Sequence, residues 1–227
     1  MDRPKAVGVC LILVFSSALA AAAWSLPPPS GITIKNLIPL AQWQKQFKIT
    51  AGKDSGKLVP LLFQQDRADQ KRWRLIFGDY AGILLAPDSS GGFAMERLDL
   101  FKSHSYIVYE PALPILPRDL ASGGALNRQA SFKMFDVETG NLKRTGHASH
   151  LLKQVSHSRF NTPAGFIDGY YIEIEHQMDM RYAQLNLTLG LGCRLDDGPV
   201  YGYGQYTLKK LGIFSDTKVS AAGLAQN

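Results

Sequence analysis

The feature that most constrains the fold of this chain is a two-residue alternation of apolar and polar side chains. Over residues 170–180 the isoleucines and methionines fall on one face of an extended strand, and acidic and amide side chains fall on the other. Over residues 181–195 leucines at every second position alternate with Asn186 and Thr188. Successive side chains of a strand point to opposite sides, so this period predicts two long strands that each have one apolar face.

Weaker versions of the same pattern predict further strands. They lie at 41–50, 73–77, 83–86, 105–109, 132–137, 142–145 and 200–208, with turn residues between several of them. Residues 149–160 are ambiguous, because Leu151, Leu152 and Val155 fit one helical turn as easily as a strand, and a helix is favoured here. The predicted fold class is mainly β, an antiparallel curved sheet arranged as a barrel or a sandwich, with one or two short helices.

Proline and glycine interrupt the pattern in the middle of the chain. Pro111, Pro114 and Pro117 precede a Ser-Gly-Gly sequence at 122–124. Proline removes hydrogen-bond donors from a sheet and glycine adds backbone freedom. The sequence therefore predicts a long loop at about 110–127, inside a single β-rich domain that covers 24–214. The small and polar residues at 215–227 predict a flexible C-terminal tail.

Residues 1–23 have the organisation of a cleaved signal peptide. Arg3 and Lys5 form a basic start, an apolar run follows at 7–15, and alanines at 18–23 supply the small residues that a signal peptidase needs. The apolar run is short for a membrane-spanning helix. We therefore expect an exported protein, periplasmic or extracellular. The single cysteine left after cleavage, Cys193, favours the bacterial periplasm.

Charge and cysteine content argue against two classes of function. The formal net charge is +6, but Lys71, Arg72 and Arg74 form the densest basic group and no stripe extends it, so no nucleic-acid partner is expected. The diffuse charge leaves open a weak peripheral contact with anionic lipid headgroups. Cys193 lies among leucines, which predicts a buried and unreactive thiol.

Histidines and acidic residues supply the candidates for metal binding or catalysis. His147, His150 and His157 form a local group, and imidazole is a ligand of zinc or copper; solvated histidines in a polar turn are the alternative. A set of carboxylates fits either acid–base chemistry or a solvated strand face. No nucleophile elbow, Walker loop or dinucleotide fingerprint occurs, so no cofactor is expected. The carboxylates are Asp168, Glu173, Glu175 and Asp179.

Tyrosines in the last third of the chain supply the candidate ligand-binding residues. Tyrosine offers an apolar ring with a polar tip, and neighbouring glycines allow a sheet to curve around a ligand. The alternative is that these rings pack against each other across strands. The candidates are Tyr170, Tyr182, Tyr201, Tyr203 and Tyr206.

Export, the missing catalytic motifs and the tyrosine-rich strands together predict a soluble binding or accessory protein rather than an enzyme. Its expected partner is an amphiphilic small molecule or an envelope protein, with the ligand held in a sheet-lined cavity. An exported hydrolase that uses the histidines or the strand carboxylates is the alternative. A membrane-embedded barrel is a third hypothesis, because the strands of such barrels also alternate in hydrophobicity.

Overall fold

The computed structural model describes residues 32–120, 126–210 and 214–225. The predicted signal peptide at 1–23 lies outside these ranges. So do residues 121–125 of the predicted central loop and residues 226–227 of the predicted tail. Within the described ranges most of the chain is extended.

The described residues form twelve strands, one short α-helix and one 3-10 turn. The helix α1 covers Ile34–Leu37 and the 3-10 turn covers Phe101–Ser103. The strands are β1 (Trp43–Ala51), β2 (Leu58–Gln65), β3 (Trp73–Phe77), β4 (Ala81–Pro87), β5 (Phe93–Leu100), β6 (Ser105–Leu116), β7 (Leu126–Asp136), β8 (Leu142–Thr162), β9 (Gly165–Met180), β10 (Ala183–Arg194), β11 (Gly198–Lys210) and β12 (Phe214–Leu224).

The strands form a closed barrel. Each one pairs antiparallel with the strands that precede and follow it in sequence, and β12 pairs with β1. In that closing pair Phe47 lies opposite Leu224 and Ile49 lies opposite Ala222. Closure gives each of the twelve described strands a paired neighbour on both sides. The predicted fold class is confirmed, and the structure is a barrel rather than a sandwich.

The apolar face of the sheet lines the inside of the barrel. Tyr109 on β6 and His176 on β9 belong to this face, and their ring centroids are 6.1 Å apart although their strands are not neighbours. Other side chains of the same face, such as Phe63, Phe132 and Ile172, are almost completely buried. The outer face of β7 to β10 is mostly polar. Closure of the sheet into a barrel therefore buries its apolar face.

The chain before β1 fills one end of the barrel. Ile34 and Leu37 of α1 are buried in the main apolar cluster. The backbone N–H of Ile34 donates to the carbonyl oxygen of Arg118 at 2.9 Å, and the N–H of Asp196 donates to the carbonyl oxygen of Asn36 at 2.7 Å. These bonds fasten residues 32–38 to the chain that follows β6 and to the β10–β11 turn. This end is termed the closed end.

Burial of the inner face decreases toward the opposite end, where β9 turns into β10. On β5, Phe93 and Met95 are buried, whereas Leu98 and Leu100 further along the strand are half-buried. On β9 the buried run ends at Met180, which is half-buried. A twelve-stranded barrel is wider than the eight-stranded kind that wall side chains alone can fill. This end is termed the open end.

The predicted helix at 149–160 is wrong, because these residues belong to β8. A β-bulge between Leu152 and Gln154 shifts the pairing with β9, so Leu152 and Val155 both face inwards although three residues separate them. That spacing imitates a helical repeat. Pairing with β7 on one side and β9 on the other overrides the local pattern.

Two segments predicted to be irregular are largely strands. Residues 214–224 form β12 instead of a flexible tail, because they pair with both β11 and β1. The first part of the predicted loop is the end of β6, where Leu113 and Leu116 lie opposite residues of β5. Pairing between β6 and β7 ends at Glu110, so the prolines that follow remove no donor from that ladder.

Candidate functional site

The barrel interior is incompletely filled along β10 and β11. Leu189 and Leu191 of β10 face inwards and pack against the core, yet both remain half-buried. The inner positions opposite them on β11 are Gly204 and Gly202. A Cβ atom at Gly202 would meet no atom within 4 Å. The barrel wall therefore has little side-chain volume along this part of β11. The space that this leaves inside the barrel, in front of β10 and β11, is termed the lumen.

The lumen has an apolar wall and a charged rim. Tyr206 lies on the inner face of β11, and its ring centroid is 5.8 Å from Nζ of Lys218, which is itself 3.0 Å from a carboxylate oxygen of Asp216. Closer to the open end, Arg144 and Lys210 are exposed at inner-face positions of β8 and β11. An apolar cavity with a few convergent polar groups is the usual form of a small-molecule site.

The five tyrosines predicted as ligand-binding residues do not converge. Tyr170 and Tyr206 lie on the inner face and are buried, and Tyr206 is the member of the set that lines the lumen. Tyr201 and Tyr203 lie on the outer face, since they alternate with the inward glycines of β11. Tyr182 is exposed in the turn after β9. As a group they therefore do not form a binding pocket.

Tyr201 packs under a folded hairpin instead. The hairpin tip, residues 156–169 of β8 and β9, lies over the outer face of β10 to β12. Phe160 of the tip stacks on Tyr201 with ring centroids 5.5 Å apart, and the N–H of Ala164 donates to the carbonyl oxygen of Leu224 at 3.0 Å. The space for Phe160 comes from Gly192, where a Cβ atom would lie 2.7 Å from the ring.

The three histidines predicted to bind a metal are separated in the structure. His147 and His150 are three residues apart on one strand and point to opposite faces. His147 lies outside, with Nδ1 3.4 Å from the hydroxyl of Ser131, and His150 lies inside and is 5% exposed. His157 is exposed within the hairpin tip, opposite Tyr170. Among the described residues, no cluster of three or more His, Cys, Asp or Glu side chains is placed to hold a metal ion.

The histidine that does lie beside His150 is His176, which the sequence analysis did not select as a metal ligand. The two are cross-strand partners on β8 and β9, with ring centroids 5.8 Å apart. Burial lowers the pKa of each imidazole to about 4, so both rings are neutral at pH 7. β8 and β9 are joined by a tight turn at 163–164. Pairing the two strands back from this turn, with one bulge allowed, places residue 150 opposite residue 176, and this was the sequence signal that could have identified the histidine pair.

Three carboxylates of the alternative hydrolase hypothesis, Glu173, Glu175 and Asp179, lie on the outer face of β9, and the fourth, Asp168, is exposed in the hairpin tip. All four lie beside basic or amide groups. This agrees with a solvated strand face, the other interpretation of the sequence. Lys153 lies 2.5 Å from Glu175 and 3.6 Å from Glu173, Arg159 lies 3.9 Å from Asp168, and Asp179 accepts hydrogen bonds from Gln177 and Gln184.

Cys193 is buried, as the sequence predicted. Its side chain is 0% exposed, and burial raises the pKa of the thiol to about 12. A thiol that stays protonated and out of contact with solvent is a poor nucleophile and a poor metal ligand. Cys193 therefore contributes packing rather than chemistry.

A second concave feature is a polar groove of about 750 Å³ at the closed end, beside the hairpin tip. Its charged side chains already have ion-pair partners, because Asp197 lies 3.1 Å from Lys45 and 2.7 Å from Arg194. The groove is lined by Gln44, Lys45, Gln46, Ala164, Arg194, Asp197, Leu224 and Ala225. The lumen is the stronger candidate for a small apolar ligand.

Comparison of the chain with protein-family models, curated proteins and solved structures gave no match. Within the part of the chain that the structure describes, no helix combines the length and apolar character needed to cross a membrane. Function must therefore be inferred from the geometry of the barrel.

Proposed function

We propose that this protein is an exported, soluble binding protein that holds an amphiphilic small molecule in the lumen of its barrel. The observation that supports this most directly is the receding wall of β10 and β11. There, half-buried leucines lie opposite Gly202 and Gly204, and a Cβ atom at Gly202 would meet nothing within 4 Å. Leucine and glycine offer contact area without hydrogen-bonding side chains, which suits a hydrocarbon chain.

The outer face supports the soluble form of this proposal. A membrane barrel turns its apolar side chains outwards to lipid. Here the apolar face is turned inwards and buried, and the outer faces of β8 and β9 carry ion pairs such as Lys153 with Glu175. Support for export comes from the sequence of residues 1–23.

The rim favours a ligand with an anionic head group. Arg144 and Lys210 are exposed at inner-face positions near the open end, and both are cationic. The exposed carboxylate of Asp216, also at an inner-face position, is paired with Lys218 at 3.0 Å. A chain that enters the lumen from this end places its head group beside them. The class of ligand that fits both the wall and the rim is therefore a long-chain carboxylate or a similar anionic amphiphile.

Binding of a fluorescent long-chain fatty acid tests the proposal. We expect the purified protein to bind one equivalent, and Gly202→Leu to weaken binding at least about 10-fold because the new side chain occupies the lumen. The matched control is Thr188→Leu, which adds a leucine to the outer face of β10 and should leave the affinity unchanged. Native mass spectrometry of gently purified protein gives an independent check for a bound ligand.

Two results would contradict the lumen as the site. One is the absence of fatty-acid binding by protein that native mass spectrometry shows to be free of ligand. The other is unchanged binding by a Gly202→Leu variant whose circular dichroism matches the parent. Export is tested separately by sequencing the N-terminus of the protein recovered outside the cytoplasm, with a start at or next to Ala23 expected.

A further inference from the structure

We propose that His150 and His176 form a buried binding site for one copper(I) ion inside the barrel. The two imidazoles lie on neighbouring strands, directly opposite each other, with ring centroids 5.8 Å apart. Two imidazoles that share one metal ion have a separation of this order, since each metal–nitrogen bond is about 2 Å long. The site is distinct from the lumen wall of β10 and β11.

The hydrogen bonds of the two rings leave one nitrogen of each available. Nε2 of His150 lies 3.0 Å from the carbonyl oxygen of Ile115, and a carbonyl only accepts, so this nitrogen carries the proton. Nδ1 of His150 therefore has a free lone pair. Nε2 of His176 lies 3.4 Å from the hydroxyl of Tyr109, which can donate or accept. In the tautomer whose Nε2 carries the proton, Nδ1 of His176 also has a free lone pair, and this is the tautomer that the proposal requires. Metal-binding histidines are typically oriented by such bonds.

Both Nδ1 atoms are buried without a hydrogen-bond partner. Each histidine is 5% exposed, and neither Nδ1 atom meets a donor or acceptor. An unsatisfied buried polar atom costs free energy, about 1–3 kcal/mol. Two such atoms on facing residues are unusual in a core, and one ion that accepts both lone pairs would satisfy them together.

The surroundings favour copper(I) over zinc or copper(II). The donors are neutral imidazoles. The oxygens hydrogen-bonded to the two rings are the carbonyl of Ile115 and the phenol of Tyr109, whose pKa burial raises far above its usual value. Among the described residues, no carboxylate completes a three-ligand group with the two histidines. The cost of placing an ion in an apolar interior rises with its charge. A monovalent d10 ion that accepts two nitrogen donors fits best.

A narrow crevice reaches His150 on the side where its ring meets the carbonyl of Ile115. It has a volume of about 10 Å³ and is bounded by His150, Ile115, Leu152 and Arg128, with Asp88 and Ser90 at its surface side. A space of this size holds one water molecule or one small ion. The crevice is bounded by His150 and not by His176, so it gives a route from the surface to one of the two rings.

Competition with a chromophoric copper(I) chelator under reducing conditions tests the site. We expect the purified protein to withdraw one equivalent of copper(I), and silver(I), its redox-stable analogue, to raise the melting temperature. The double variant His150→Phe/His176→Phe should lose this binding. The matched control His147→Ala/His157→Ala also removes two imidazoles and should bind as the parent does. Tyr109→Phe should weaken binding about 10- to 100-fold, as loss of an orienting hydrogen bond does.

The wild-type protein gives a readout that does not depend on folding of the variants. In ¹⁵N spectra of the histidine rings, silver(I) should shift one nitrogen signal in each of two imidazoles while the other nitrogens keep their protons. Any one of four results would overturn the proposal. The first two are failure of the protein to withdraw copper(I) from the chelator and imidazole ¹⁵N signals that silver(I) leaves unchanged. The other two are stronger binding of zinc than of copper(I), and a loss of copper(I) binding in the His147→Ala/His157→Ala control as large as in His150→Phe/His176→Phe.

Discussion

Glycines on the two faces of neighbouring strands have opposite roles. Gly192 faces outwards, where a Cβ atom would lie 2.7 Å from Phe160 and 2.9 Å from Cβ of Tyr201, while Gly202 faces the lumen and open space. We expect Gly192→Val to lower the free energy of unfolding by about 1–3 kcal/mol because it overpacks the contact under the hairpin tip. Gly202→Ala should leave stability unchanged or slightly raised. Urea unfolding measures both, and equal losses would contradict these assignments.

The buried histidines make stability depend on pH. Burial lowers the pKa of His150 and His176 from 6.5 to about 4, so the unfolded chain binds more protons between these values. The free energy of unfolding should be largest above pH 6.5 and fall as pH decreases toward 4, with a slope of up to about 1.4 kcal/mol per pH unit for each imidazole. Carboxylates with lowered pKa, such as Asp54 and Asp66, lose their contribution only at lower pH.

Unfolding measured from pH 7.5 to 4.5 checks this prediction. The slope should be greatly reduced in His150→Phe/His176→Phe and retained in His147→Ala/His157→Ala, because the latter histidines lie outside the buried core. A parent protein whose stability is constant across that range would show that these rings are not neutral and buried in the folded state.

The lumen could not be located from sequence because its wall includes residues without side chains. On β11 the inner positions are Gly202 and Gly204, and the neighbouring outer positions are Tyr201 and Tyr203. Read as a pattern, the tyrosines look like the interior of the strand and the glycines like its exterior. The structure reverses that assignment, because the face is set by pairing with Leu189 and Leu191 on β10.

Strands with a regular period were predictable and irregular ones were not. The alternation over 170–180 and 181–195 corresponds to β9 and β10, whose register has no break from Met180 opposite Ala183 to Tyr170 opposite Cys193. In β8 a bulge changes the spacing of inward side chains and leads to a false helix. In β6 the prolines suggest a loop. Residues 111–116 nevertheless belong to the strand, because they pair with β5 alone and need backbone hydrogen bonds on one side only.

The hairpin tip is an element whose stability should be separable from that of the barrel. Phe160 is 6% exposed and is its main apolar contact with β11, whereas Phe166, on the same tip, is 67% exposed. We expect Phe160→Ala to cost about 3 kcal/mol in the packing of the tip and Phe166→Ala to cost little. Hydrogen exchange measures this by segment.

The expected exchange pattern is specific. Amides of residues 156–169 should exchange faster in Phe160→Ala, while those of β5 to β7 keep their protection, because the tip lies outside the barrel. Uniformly faster exchange over all strands would show instead that the tip and the barrel unfold as one unit.

The whole molecule depends on a strand with an inconspicuous sequence. The inner positions of β12 include Lys218, Ser220 and Ala222, which are small or polar, so the segment has the composition of a tail. It nevertheless pairs with β11 over ten residue pairs and with β1, and thereby closes the sheet. Closure of the barrel depends on all of the strands together, so it cannot be predicted from a short segment of the sequence.

Removal of this strand should therefore open the barrel rather than trim a tail. A chain that ends at residue 213 leaves β11 and β1 as unpaired edges, so we expect loss of the cooperative unfolding transition and aggregation. A synthetic peptide of residues 214–225, added during refolding, should restore the transition by pairing with both edges. The same peptide with Ala222→Asp places a charge on the buried inner face opposite Ile49 and should not restore it. A truncated chain that alone melts cooperatively at the temperature of the parent would show that β12 does not close the barrel.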